Sequence, residues 1–189
     1  MIKLRQPSLV LHSCDVPGYK YEMWKSWTMP RGASANDVVY WINWAIDHSP
    51  EMELHNVVIN CHGSPGGLHV GGSNNAKKGI TGGSAIWTGD LGIFKNVRRG
   101  SLGTIYIVAC EVAKSDTAAK LGENFCKNLA INAGCFVVAA DALQHVNFFF
   151  QVFRHPYGAI DDYEGNVMEF GPSGSMQAWS PADATGLQN

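Results

Sequence analysis

Two apolar runs in this chain each end on a reactive side chain. Val57-Val58-Ile59-Asn60-Cys61 is followed by His62-Gly63-Ser64, and Thr104-Ile105-Tyr106-Ile107-Val108-Ala109 by Cys110-Glu111. A thiol is a weak nucleophile at its free pKa, about 8.5, and a neighbouring imidazole activates it by taking its proton or stabilising the thiolate. Backbone N–H groups beside such a pair can hold the oxyanion of an acyl-transfer intermediate. Gly63 suits that role, because without a Cβ its backbone can approach a ligand closely. The chemistry on offer is acyl transfer, on condition that the fold brings the two run ends together.

The surrounding elements bear on that condition. Short β-branched runs bounded by turn residues read as buried strands, and an open α/β sheet binds its ligands outside the carboxyl ends of its strands. Ser8-Leu9-Val10-Leu11-His12 reads as a first strand, and Cys14 to Gly32 as a long ordered loop. Ser34-Ala35-Asn36-Asp37 can cap a helix over Val38 to Asp47, where Val38, Trp41, Ile42 and Ala45 have helical spacing. His48-Ser49-Pro50 ends it. Gly63 to Gly92 is dense in glycine, including Gly66-Gly67, Gly71-Gly72 and Gly82-Gly83. It has no GxxxxGK[ST] phosphate-binding pattern and reads as a flexible loop or small hairpin. A short helix is expected over Asp90 to Val97, with Leu91, Phe94 and Val97 inward.

After the second reactive run, Ser115-Asp116 is expected to cap a helix reaching Asn132, with Ala118, Leu121, Phe125, Leu129 and Asn132 on one stripe and Ala133-Gly134 ending it. Cys135 to Ala140 reads as a further buried strand, and Ala159 to Phe170 as a hairpin turning at Glu164-Gly165-Asn166. The small, polar tail from Gly171 is expected to fray. Strands alternating with helices predict an α/β fold with a largely parallel sheet. A length of 189 residues fits a single domain over the whole chain, 1–189.

Composition narrows the function class. With 46% hydrophobic and 16% charged residues the chain reads as globular. A net charge of -2 and the lack of a basic stripe argue against nucleic acid as a partner. No apolar run reaches the length of a membrane span, and none at the N-terminus reads as a secretory signal. The five cysteines (Cys14, Cys61, Cys110, Cys126 and Cys135) are odd in number and lack CxxC pairs, which argues against a disulfide framework or a zinc site. A cytoplasmic location is expected, or delivery by a route that needs no signal peptide. No metal or organic cofactor is expected; the oligomeric state stays open.

The order of strand, His62-Gly63, strand, Ala109-Cys110 resembles that of the caspase-like cysteine peptidases. This group includes caspases, metacaspases, legumains, clostripain-like and gingipain-like enzymes and self-processing toxin domains. His62 and Cys110 lie 48 residues apart, and the caspase signature has its His about 50 residues before the Cys. The resemblance covers about 56–141 and is nearest to the bacterial clostripain-like and toxin-type members. It implies a three-layer α/β fold, with a central sheet flanked by helices and a C-terminal hairpin. It also implies a peptidase acting on a protein or peptide substrate, or on itself. His62 would be the general base and acid, Cys110 the nucleophile, and the N–H groups of Gly63 and Cys110 the oxyanion hole.

The pattern departs from caspases at two positions. They carry Gln two residues before the nucleophile and Gly two residues after it, where this chain has Val108 and Val112. The caspase preference for aspartate is therefore not carried over. In that family the position two before the nucleophile lines the substrate pocket, and Val108 would make its wall apolar. Asp141, just past the next strand, can offer a carboxylate to Lys or Arg, cap a helix, or sit in solvent.

Two other readings come from other residues. Cys14 with His69-Val70-Gly71 is similar to the papain-like cell-wall amidases of the NlpC type, in which the Cys opens a helix; here Cys14-Asp15-Val16-Pro17-Gly18 reads as a turn. Trp24, Trp27, Trp41 and Trp44 can form a recognition surface, which would suit a binding or scaffold module with a dead site, or they can pack in the core. Cys61, Cys126 and Cys135 read as structural.

Overall fold

The computed structural model describes residues 1–17, 20–72, 85–115, 120–144 and 156–181. A mixed seven-stranded sheet forms the centre. Its strands are β2 (Ser8–Ser13), β3 (Lys25–Met29), β4 (Leu54–Asn60), β8 (Leu102–Val108), β9 (Phe136–Ala140), β11 (Val167–Phe170) and β12 (Met176–Ala178), in the order β12-β11-β9-β8-β4-β2-β3. The five from β9 to β3 run parallel, and β11 and β12 add antiparallel at one edge.

Strand periodicity divides the core into two. Leu9, Leu11, Val57, Ile59, Ile105, Ile107, Val137 and Ala139 face one cluster, and Val10, Val58, Tyr106 and Val138 face the other. Helix α1 (Ala35–His48), helix α2 (Leu121–Ala133) and a 3₁₀ helix (Thr88–Asn96) all pack on the first face. Chain direction accounts for this. The connections from β3 to β4, β4 to β8 and β8 to β9 all progress the same way across the sheet, so right-handed crossovers place them on one side. The β2-to-β3 connection runs the opposite way and so covers the other face. It does so without a described helix, burying Tyr21 and Met23 beside Ile2, Leu4, Ile160 and Trp179. The ribbon of β1 (Ile2–Lys3) with β10 (Ala159–Ile160) lies there too. The expectation of helices flanking the sheet is thus met on one face; among the described residues the other face carries loops and a ribbon.

Local signals hold at most element ends. Ser34 caps α1: its hydroxyl accepts from the Asp37 N–H (3.5 Å), and the Asp37 carboxylate accepts from the Ser34 N–H (2.8 Å). Gly134 ends α2 at φ 69°, the left-handed conformation that glycine adopts without strain. The start of α2 departs from the expectation: its N-cap is Lys120, in the left-handed conformation at φ 45°, and Ser115 lies outside the helix, its hydroxyl accepting from the Glu123 N–H at 2.9 Å. Asp116 and Ala118 lie outside the described residues, as do Gly82 and Gly83. Leu91, Phe94 and Val97 are buried as expected.

Three further expectations are corrected. The stretch from Cys14 to Gly32 contains the edge strand β3, whose alternating half-buried and exposed side chains reflect a single strand neighbour. The C-terminal hairpin joins β11 to β12, whereas β10 pairs with β1. The chain after Gly171 therefore adds a strand and buries Trp179 against Tyr106 and Tyr163.

Candidate active site

Cys14, Asp15 and His62 lie at the point where the sheet reverses its direction of progress, and Cys110 lies one strand further on, after β8. From β2 the chain moves outward to β3, then crosses back to β4 on the other side of β2. Loops that leave two neighbouring parallel strands in opposite directions leave a crevice at their carboxyl ends, the usual ligand site of an open α/β sheet. The turn after β2 carries Cys14 and Asp15, and the segment after β4 carries His62. Strand β8 pairs with β4 on its other side, in the register Ile59↔Ile107 and Asn60↔Val108. The Cys61 N–H donates to the Val108 carbonyl at 3.3 Å, so the ladder runs on past both strand ends toward His62 and Cys110.

Gly63 locks this junction. A Cβ there would sit 2.6 Å from Val112 Cγ2, 2.7 Å from the Cys110 carbonyl oxygen and 2.9 Å from Ala109 Cβ. Only a residue without a side chain lets the peptides after β4 and after β8 lie this close. Beyond it the chain forms a small antiparallel sheet of β5 (His62–Ser64), β6 (Gly67–His69) and β7 (Ile86–Trp87), so the glycine-dense stretch begins as a hairpin. Glu111, directly after the thiol, takes the left-handed conformation at φ 55°. For a non-glycine residue this costs on the order of 1–3 kcal/mol. Its N–H is taken by the Ala142 carbonyl at 2.9 Å.

His62 is half-buried, and its Nε2 faces the turn after β2. The Asp15 carbonyl lies at 3.4 Å and the Asp15 carboxylate Oδ1 at 4.0 Å. Since a carbonyl only accepts, Nε2 carries a hydrogen. Asp15 is itself held by the Ser13 hydroxyl, which donates to Oδ1 at 2.6 Å. Asp15 is a site residue that sequence reasoning missed; a carboxylate in a turn carries no local mark of the imidazole it will meet. Cys110 is half-buried, and its thiol donates to the Gln144 carbonyl at 3.7 Å. His62 and Cys110 make no hydrogen bond to each other: Nε2 of the first faces Asp15, and the thiol of the second faces Gln144.

A second imidazole flanks the first. His69 pairs with His62 across β5 and β6, shares a hydrogen bond of 3.2 Å between its Nε2 and the Ser64 hydroxyl, and packs edge-on to Trp87. Burial, and then the nearby His62, lower its pKa below the usual histidine value.

The remaining candidates fall as follows. Val108 is half-buried on the face opposite the helices. Both carboxylate oxygens of Asp141 accept from Asn166, one from its backbone N–H and one from its side-chain amide, each at 2.9 Å. That pins the loop before β11, a role distinct from both a helix cap and a solvated carboxylate, and Asp141 also lines a cavity of ≈ 990 Å³ with Tyr163, Asn166 and Trp179. Cys61, Cys126 and Cys135 are buried, and burial pushes their thiol pKa values up, that of Cys135 to about 12. Cys14 sits exposed in a turn between two strands and opens no helix, so the context of a papain-like nucleophile is missing. Trp27, Trp41 and Trp44 line a groove of ≈ 460 Å³ with the exposed Tyr40 along the edge strand β3.

Among the described residues no cluster of three or more His, Cys, Asp or Glu side chains could hold a metal ion, and no helix is long and apolar enough to cross a membrane. No protein-family model matches the chain, and no curated protein matches it.

Proposed function

We propose that this protein is a cysteine endopeptidase of caspase-like type, in which His62 and Cys110 cleave a peptide bond in a protein substrate or in the chain itself. The observation that carries the reading is the in-register parallel pairing of β4 with β8, which sets the His62 and Cys110 segments side by side after the carboxyl ends of neighbouring strands.

The chemistry starts from the neutral form of His62, with its hydrogen on Nε2. His62 Nδ1 takes the Cys110 proton, and the thiolate attacks the scissile carbonyl carbon. The N–H groups of Gly63 and Cys110 hold the resulting oxyanion. The imidazolium, held at Nε2 by Asp15, then protonates the leaving amine, which departs and leaves a thioester on Cys110. A water molecule deprotonated by His62 attacks the thioester and releases the carboxylate product and the free thiol. Asp15 acts through His62, as a positioning residue.

With the Asp141 carboxylate engaged by Asn166, the apolar Val108 wall favours an uncharged residue before the scissile bond. Cys110→Ala should abolish turnover with little effect on the fold. His62→Ala should slow it by a factor on the order of 10² or more, and chelators should have no effect. Activity that survives Cys110→Ala, or that a chelator removes, overturns the mechanism.

A binding module with a dead site is the second reading, favoured by the aromatic groove on β3. Thiol labelling at neutral pH separates the two: a reactive Cys110 supports the peptidase, and a silent one supports the module.

A further inference from the structure

We propose that Asn60 is the specificity-determining residue of this site, and that its Oδ1 accepts a hydrogen bond from the side-chain amide of a Gln or Asn immediately before the scissile bond. The inference rests on the peptidase reading and deepens it.

It starts from a row of side chains across the sheet. His12, Asn60 and Val108 are direct partners on β2, β4 and β8. They lie on the face away from the helices, two residues before Cys14, His62 and Cys110. The row thus forms a floor just inside the reactive residues.

The hydrogen bonds of that floor orient its amide. His12 Nε2 lies 3.1 Å from the Tyr21 carbonyl, which only accepts, so Nε2 carries a hydrogen. Burial holds the ring neutral, with its pKa lowered to about 4. A neutral ring with its hydrogen on Nε2 has an acceptor at Nδ1. Asn60 lies 3.0 Å from that atom and must present its Nδ2 donor. Its Oδ1 therefore points away from His12.

That oxygen makes no hydrogen bond among the described residues. Nor is it sealed from water: the one buried side-chain polar atom without a partner there is Tyr163 Oη. Asn60 is only 6% exposed, and its acceptor lies in this nearly buried row beside the apolar side chain of Val108.

The floor selects by exclusion as well as by attraction. A substrate carboxylate would set acceptor against acceptor. A lysine ammonium would enter a row with a neutral imidazole and no carboxylate, since Asp141 is engaged by Asn166, and Asp15 by Ser13 and His62. An aliphatic side chain would fit Val108 but leave Oδ1 unpaired, at the cost of a lost hydrogen bond. A primary amide supplies the donor without a charge.

The test uses the full chain and peptidyl acyloxymethyl ketones that differ only in the residue next to the warhead. Rates of Cys110 modification with Gln, Asn, Met, Glu and Lys at that position are each divided by the iodoacetamide rate of the same protein. The expected result is a preference for Gln or Asn over Met of about tenfold, the worth of one hydrogen bond, and a larger one over Glu and Lys. In Asn60→Leu, Met should overtake Gln. The comparison among probes on the unaltered protein stands even if that variant fails to fold. A preference for Lys, Glu or Met in the unaltered protein overturns the inference and leaves the peptidase reading intact, as does a Gln preference that survives Asn60→Leu. If iodoacetamide modifies Cys110 and no peptide probe does, both fall.

Discussion

Acidification should destabilise this protein through His12 before most carboxylates titrate. In the unfolded chain the imidazole titrates near its ordinary 6.5, whereas in the folded protein its pKa is lowered to about 4. Burial is the main cause; the Tyr21 carbonyl works against it, and Lys20 adds slightly to the lowering. The sign follows from proton binding. Between the two values the unfolded state holds more protons, so stability is complete above pH 6.5 and falls as the pH drops toward 4. Each pH unit inside that window is worth about 1.4 kcal/mol, so the loss is about 2 kcal/mol at pH 5 and about 3 kcal/mol at pH 4. The measurement is urea unfolding followed by tryptophan fluorescence at pH 7.5 and pH 5, for the parent and His12→Gln. Glutamine can still donate to the Tyr21 carbonyl and accept from Asn60, but it does not titrate. Carboxylates and the other histidines affect both proteins alike and cancel in the difference. The parent's advantage over the variant should shrink by about 2 kcal/mol between the two pH values. An advantage that stays constant would refute the claim that His12 is held neutral, and with it the orientation assigned to Asn60.

Gly63→Ala should cost about 1–3 kcal/mol by overpacking and slow the labelling of Cys110, because the new methyl group meets the Cys110 carbonyl and Val112; thermal unfolding and thiol kinetics read the two effects. Among the cysteines, Cys14 and Cys110 should label in the folded protein, while Cys61, Cys126 and Cys135 stay silent until urea unfolds it. Mass spectrometry of the labelled chain resolves the five sites, and His62→Ala should slow Cys110 alone. Ser34→Ala removes the capping box of α1 and should lower the unfolding free energy by about 1 kcal/mol, measured in urea.

Much of the fold was legible locally. The interiors of β2, β4, β8 and β9 show in their β-branched runs, α1 in its apolar spacing and cap, and the end of α2 in Gly134. The edge strands were harder to see. Strand β3 reads Lys-Ser-Trp-Thr-Met, and two of its five residues, Ser26 and Thr28, are exposed. Its period-2 alternation was present, but Gly, Pro and Trp around it looked like loop. Strand β12 has three exposed residues, and its one cue was Trp179, a large apolar side chain in a small, polar tail. The partners of the strands after Ala159 are not legible in the sequence, because a turn signal marks a reversal without naming the strand that pairs across it.

At the candidate site, residue type and spacing alone marked His62, Gly63 and Cys110. Strand periodicity and capping are properties of a few consecutive residues, and so can be read along the chain. Register, the switch point and the partners of each side chain join positions far apart. Asp15 reaches His62 across the β2–β4 crevice, Asn166 takes up the Asp141 carboxylate, and burial holds His12 neutral between its partners Tyr21 and Asn60. Tertiary structure alone decided these, because a charge state and a hydrogen-bond partner depend on what surrounds a side chain in space.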